Sequence, residues 1–212
     1  MATFPWSSFP SIITLRLYLR EIVRDDADDV YLLRSDADVQ RYNSRPMRSV
    51  IEAQALISTM QHWYRSVQAV QWGITIGDDN RVVGICGLHD WKPNHQRAMI
   101  GYDLAREHWG QGFASEAIRE VLQLGFEQLS LHQIQAETIV ENVRSVRLLE
   151  RLGFTREGVR REHSLEDDGE YHGTAMYGLL RADYRHLTRL HDEPSNAGPT
   201  FAMTDENRRE LP

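Results

Sequence analysis

Apolar and polar positions alternate along residues 12–20, with Leu15, Leu17 and Leu19 on one face and Arg16, Tyr18 and Arg20 on the other. That two-residue period predicts a half-buried strand. Asp25 and Asp26 can cap a helix in which Ala27, Val30 and Tyr31 share a face. The run Ser49-Val50-Ile51-Glu52 is a capping box, and Ala53, Leu56, Ile57, Met60 and Trp63 follow at helical spacing to about Ser66. Between these helices, Tyr42, Asn43, Arg45 and Pro46 read as a loop. Residues 70–76 and 82–88 read as strands around the turn Gly77-Asp78-Asp79-Asn80, which makes a hairpin. Pro93 and Asn94 mark a loop over 90–96, and residues 98–104 form the next strand.

The pattern then changes. Residues 109–114 form a glycine-containing loop, and 115–129 a helix with Ile118, Val121, Leu122, Phe126 and Leu129 inward. Residues 133–139 read as a strand. Asn142 or a neighbour caps a helix ending near Leu152, where Gly153 supplies the left-handed C-terminal position. The chain is extended from Phe154, turns at Asp167-Asp168-Gly169, and has its last strand over 171–180. Periodicity fades beyond Leu190. The expected organisation is an N-terminal extension over 1–11, one domain over 12–190 and a mobile tail over 191–212.

Composition narrows the class. With 41% hydrophobic and 26% charged residues, a folded core is expected rather than disorder. A net charge of -7 argues against a nucleic-acid partner and is compatible with a cationic amine. Cys86, the single cysteine, lies in an apolar run and reads as a buried structural thiol in a reducing, cytoplasmic setting. No run approaches the roughly 18 apolar residues that a membrane span needs. The aromatic N-terminus lacks the basic start of a secretion signal. The histidines show no metal-ligand spacing. Trp63, Trp72 and Trp91 read as core or pocket wall, and residues 156–163 as a solvated strand face.

The segment Trp109-Gly110-Gln111-Gly112-Phe113-Ala114-Ser115-Glu116-Ala117 follows a strand and opens a helix. Glycines there let the backbone turn sharply and approach a ligand. The first N–H groups of a helix lack partners within it, and the helix dipole adds positive charge, so this end can hold a pyrophosphate. A plain tight turn is the alternative. The nucleotide P-loop pattern is missing, and the preceding strand follows a hairpin instead of opening a βαβ unit.

Four blocks together resemble the GNAT N-acetyltransferases over roughly residues 12–184, and within them the ribosomal-protein N-terminal (RimJ/RimL-type) branch. They are Val83-Gly84-Ile85-Cys86-Gly87-Leu88, then Ile100-Gly101-Tyr102-Asp103-Leu104, then the loop from Trp109 with Glu116-Ala117. The fourth is Asn142-Val143-Arg144-Ser145 with Leu148-Leu149-Glu150-Arg151-Leu152-Gly153-Phe154. The resemblance implies an α/β fold: a mixed, largely antiparallel sheet of six or seven strands, splayed between the fourth and fifth, with about four helices. It implies acetyl-coenzyme A as donor. Gly110, Gln111, Gly112, Phe113, Ala114 and Ser115 would bind its pyrophosphate. Tyr102, Asp103 and Leu104 would pair with the pantetheine, Asn142 would hydrogen-bond the coenzyme, and Ser145 would lie near the sulfur. The sequence departs at three points. Trp109 stands where the loop often begins with Gln or Arg, Leu149 where many relatives have a tyrosine acid, and Met99 where the branch often has Glu.

An alkylammonium cannot attack a carbonyl until it loses a proton, so the site needs a base and a donor for the oxyanion. A backbone N–H near Leu104, freed by the splay, would serve as that donor. Glu137 is the first candidate base, with Asp103 and His89 as rivals; a surface carboxylate paired with an arginine such as Arg97 is the alternative. Ser145 is either an acid or thiol contact or a helix-capping hydroxyl. The expected acceptor is a protein or peptide N-terminal amine, with a polyamine, aminoglycoside or other small amine as the second reading. A non-catalytic acyl-coenzyme A-binding module is the third. Dimers are common at this size, and no interface can be read from the residues.

Overall fold

A computed structural model describes residues 4–166 and 169–192. Eight strands form one sheet in the order β1-β2-β3-β4-β5-β6-β8-β7. They are β1 (Ile12–Ile13), β2 (Leu17–Glu21), β3 (Val70–Ile76), β4 (Asp79–Lys92), β5 (Arg97–Leu104), β6 (Gln133–Ile139), β7 (Thr155–Leu165) and β8 (Tyr171–Leu180). Six helices accompany them among the described residues: α1 (Ala27–Ser35), α2 (Ala37–Gln40), α3 (Val50–Arg65), α4 (Phe113–Glu127), α5 (Val143–Arg151) and α6 (Arg181–Asp192). All neighbouring strands are antiparallel except β5 and β6, which run parallel.

The α/β class and the mixed sheet match the expectation, with more elements than anticipated. The strand expected over 12–20 is broken by a turn. Thr14 accepts the Leu17 N–H at 2.8 Å through its hydroxyl, and Leu15 is 96% exposed instead of sharing a face with Leu17 and Leu19. Two helices were not anticipated. The Asp36 carboxylate caps the four-residue α2, and α6 follows β8 directly. The Asp167-Asp168 part of the expected hairpin turn, and the expected tail beyond Asp192, lie outside the described residues.

The sheet separates two apolar layers. On one face α4 buries Ala117, Ile118, Val121 and Leu122 against Trp72, Cys86, Leu88, Ile100 and Ile134. On the other, α1 and α3 bring Val30, Leu33, Ala53 and Ile57 against Ile85. Full burial of each such aliphatic side chain contributes about 1.5–3 kcal/mol. Helix α3 begins where expected, with the Ser49 hydroxyl accepting the Glu52 N–H. Cys86 is buried, and burial pushes its thiol up. Phe4 stacks on Trp6, Tyr64 and Trp91, fastening residues 4–10 to the end of the sheet farthest from Leu104. Strand β7 forms one margin of the sheet, is exposed from Thr155 to His163, and shifts register at Arg156/Gly158 and at Arg160/Ser164. Within the second shift, between Arg160 and Ser164, Glu162 takes a φ of 49°. No helix among the described residues is long and apolar enough to cross a membrane.

Candidate active site

The parallel pair opens partway along its length. Strands β5 and β6 pair only from Arg97 to Met99 against Gln133 to Gln135, although β5 continues to Leu104 and β6 to Ile139. This is the splay expected between the fourth and fifth strands. The Ala105 N–H donates to Val83 O at 2.8 Å. The alternation of an antiparallel ladder then turns Gly101 and Asp103 toward β4. Tyr102 and Leu104, beyond the last pair with β6, turn their N–H and C=O groups toward the opening. At its mouth the Trp109 indole donates to Leu104 O at 2.7 Å, and the Arg144 guanidinium lies 4.0 Å over the Trp109 ring.

The glycine loop lies beyond that mouth. Gly110 and Gly112 take φ values of 75° and 84°, a left-handed region that favours glycine. Gly112 is the N-cap of α4 and no side chain caps it. The first intrahelical bond is Glu116 N–H to Gly112 O at 3.0 Å, so the N–H groups of Phe113, Ala114 and Ser115 lack helical partners. The loop is braced from the other end of the chain. Arg16 donates through Nη1 to Gln111 O at 3.0 Å and through Nε to Glu116 Oε2 at 2.7 Å. The Thr14 hydroxyl and the Arg16 N–H also donate to Glu116. Burial pushes Glu116 up, but these hydrogen bonds outweigh it and hold the carboxyl below its ordinary value. Sequence reasoning missed Thr14 and Arg16 here, because nothing local marks a contact across about a hundred residues.

Helix α5 supplies the opposite wall. Asn142 caps it, its Oδ1 accepting the Ser145 N–H at 3.2 Å. The Ser145 hydroxyl is therefore not the cap; it lies 2.7 Å from the Tyr102 hydroxyl and joins α5 to β5 across the splay. Burial pushes the Tyr102 phenol up to about 12, against the opposing effect of the Ser145 hydrogen bond, so it is a neutral hydroxyl at physiological pH. Leu149, where a tyrosine acid was sought, is fully buried.

The other face of the sheet holds the charged groups. Asp103 was expected along the coenzyme with its neighbours, but its backbone turns to β4 and its side chain to the α1 face. There Arg34 Nη2 lies 2.6 Å from its carboxylate and Asn43 donates to it. Burial pushes Asp103 up and Arg34 opposes the shift. Glu137 pairs with an arginine as the alternative reading required, but with Arg160 at 3.3 Å and not Arg97. His89 is the cross-strand partner of Met99, and its Nε2 lies 3.4 Å from where a Cβ on Gly101 would sit. Loss of hydration lowers the His89 pKa, and Asp90 and Glu137 partly offset this.

The Acetyltransferase (GNAT) domain family matches residues 16–155. The uncharacterized N-acetyltransferase YoaA of Bacillus subtilis (strain 168) is 36% identical over 174 residues, covering 82% of this chain and 98% of its own. The putative ribosomal N-acetyltransferase YdaF of the same organism is 28% identical over 131 residues, 62% of this chain and 70% of its own. The crystal structure of spermidine N-acetyltransferase from Vibrio cholerae in complex with CoA and spermine superposes with a TM-score of 0.73 at 26% identity, over 81% of this chain and 99% of that one. The chain belongs to the GNAT family and is an acetyl-coenzyme A-dependent N-acetyltransferase.

Proposed function

We propose that the acceptor is the free N-terminal amine of a protein or peptide, as in the ribosomal-protein branch of the family. One observation carries this reading: Arg34 engages Asp103 and Arg160 engages Glu137. A polyamine brings further ammonium groups into the site, and each needs a carboxylate not already paired. A peptide terminus brings one. The likeness to YdaF, a putative ribosomal N-acetyltransferase, agrees with it. The second reading, a small amine, draws on the relative that is a spermidine N-acetyltransferase.

For the donor, the fit rests on backbone groups. Tyr102 offers its N–H and C=O, and Leu104 its N–H, to a pantetheine arm, which would extend the sheet like an added strand; Leu104 O is taken by the Trp109 indole. Gly110, Gln111, Gly112, Phe113, Ala114 and Ser115 form the left-handed loop and free helix N-terminus that suit a pyrophosphate. Asn142 uses its Oδ1 as the cap, which leaves its amide N–H groups for the coenzyme.

The amine attacks the acetyl carbonyl directly. The one thiol of the chain, Cys86, is buried with its pKa pushed up, which suits a reaction without an acyl-enzyme. The Tyr102 N–H faces the splay beside Gly101 and would donate to the oxyanion, deeper than the donor expected at Leu104. Ser145, with Tyr102 behind it, holds a neutral hydroxyl pair for the departing sulfur. Glu137 is the carboxylate of the acceptor face toward which the proton leaves.

Thiol release from acetyl-coenzyme A tests the acceptor. A peptide with a free N-terminus should turn over, the same peptide with a blocked N-terminus should not, and spermidine should be at least about tenfold poorer in kcat/KM. Spermidine outrunning the peptide would establish the second reading instead.

A further inference from the structure

The closing residues of the β5–β6 pair mark the inner end of the splay, at Met99 and Gln135. A pantetheine arm laid along β5 from the loop at Gly110 would therefore bring its acyl end toward Gly101. The side chain found there on the acceptor face is that of His89, its Nε2 3.4 Å from the place a Cβ on Gly101 would take. Its cross-strand partner is Met99, which brings no charge to the ring. Among the described residues no side chain or backbone group hydrogen-bonds the His89 ring. A half-buried imidazole without a partner, at the point where the reacting atoms meet, is a polar group whose partner must come from outside the chain.

We propose that His89 is the base that takes the proton from the acceptor ammonium, and that Glu137 acts through it by stabilising the imidazolium; this rests on the reading of the site as one for a primary amine. In going from ammonium to amide the nitrogen forms one bond to carbon and loses two protons, while the C–S bond breaks with its electron pair on sulfur. His89 takes the first proton and returns it to solvent, and the sulfur ends as a thiol with the second. The charged groups whose fields reach the ring are Asp90 from its own strand and Glu137 from β6, the latter paired with Arg160. From β5, Met99 and Gly101 present no charge, and Asp103, further along, is paired with Arg34. Burial keeps His89 neutral at physiological pH, the state a base requires.

The experiment compares wild type with His89→Gln and His89→Ala, using a free-N-terminus peptide and spermidine as acceptors. Acetyl-coenzyme A affinity, read by calorimetry, should stay within about twofold of wild type and certify the fold of both variants. Wild-type kcat/KM should be flat from about pH 6.5 up to the pKa of the acceptor, about 8 for the peptide N-terminus and about 10 for spermidine, because His89 serves the ammonium form. Both variants should fall about 100-fold at neutral pH and climb with unit slope toward the amine pKa, because only free amine then reacts. Added imidazole should restore rate to His89→Ala, where the ring's space is vacant, and not to His89→Gln. A wild-type profile that already climbs with unit slope would overturn the proposal, as would variants that keep the flat profile or a slow His89→Ala that imidazole leaves unchanged. Coenzyme binding without thiol release from either acceptor would sink the amine reading itself, a failure separate from that of His89.

Discussion

The two faces of the splay are built from different materials. On the side proposed for the coenzyme, the groups on offer are mostly backbone N–H and C=O of β5 and of the loop at Gly110 to Ser115, fixed by φ angles and by the ladder to β4, with the Asn142 amide and the Ser145–Tyr102 hydroxyls beside them. On the side proposed for the acceptor, they are side chains brought from five separate places: Arg34, Asn43, His89, Glu137 and Arg160. Backbone sites tolerate many side chains and so can be shared across a family, while a side-chain site changes with each substitution. One coenzyme and many acceptors are what such a division accommodates.

The largest expected effect breaks the acceptor side alone. Arg34→Leu strands the buried Asp103 carboxylate, which should cost about 3–5 kcal/mol and lower Tm by roughly 10 °C. Adding Asp103→Leu should recover most of that loss, and calorimetry at low temperature should find coenzyme affinity little changed in both proteins. Next, Gly112→Val attacks the coenzyme side. A β-branched residue at φ 84° should drive the free loop out of its left-handed shape, and re-forming that shape on binding should cost roughly 2 kcal/mol, or about 30-fold in Kd for acetyl-coenzyme A. A variant that binds as well as wild type would show that the left-handed loop is not part of the coenzyme site.

A smaller effect sharpens how the loop is held. Arg16→Leu should raise KM for acetyl-coenzyme A about tenfold with kcat kept, since the brace positions the loop and touches no reacting atom. Arg16→Lys should recover part of the loss. Because Glu116 is held below its ordinary value, the brace contributes fully at neutral pH. Its contribution is lost as pH falls below about 4.3, through the folded-state pKa. A pH titration of Tm should therefore show wild type and Arg16→Leu converging in acid. The smallest effect is expected for Tyr102→Phe, which removes one hydrogen bond worth about 1 kcal/mol. It should slow thiol release more than it weakens coenzyme binding.

Legibility in the sequence follows the same division. The Ser49 cap, the loop at Gly110 and the Asn142 cap depend on residues within four positions of each other, so spacing alone reveals them; of the expected capping box only the Ser49 half forms, since Glu52 accepts the Arg48 N–H. The turn at Thr14 was hidden by the alternation running through it; a hydroxyl-to-backbone bond outweighed the hydrophobic period and left Leu15 in solvent. Helix α2 is too short to show a period, and α6 is too polar to stand out from a surface loop. The pairing of Glu137 with Arg160, of Asp103 with Arg34 and of Arg16 with Glu116 joins distant strands and helices. No spacing rule reaches that far, which is why an arginine partner for Glu137 could be anticipated but not identified.

The margins of the sheet carry a last consequence. A strand with an open edge is a template on which another chain can continue the sheet, and neighbouring molecules can polymerise along it. Here β1 offers only two residues. The long β7 is interrupted twice, with Glu162 turned left-handed inside the second interruption. Neither rim gives an incoming strand a straight row of donors and acceptors. Copies of this protein that meet in a crowded solution are thus kept from stitching their sheets together, and a pairing of two subunits would have to be made through side chains on the helical or sheet faces.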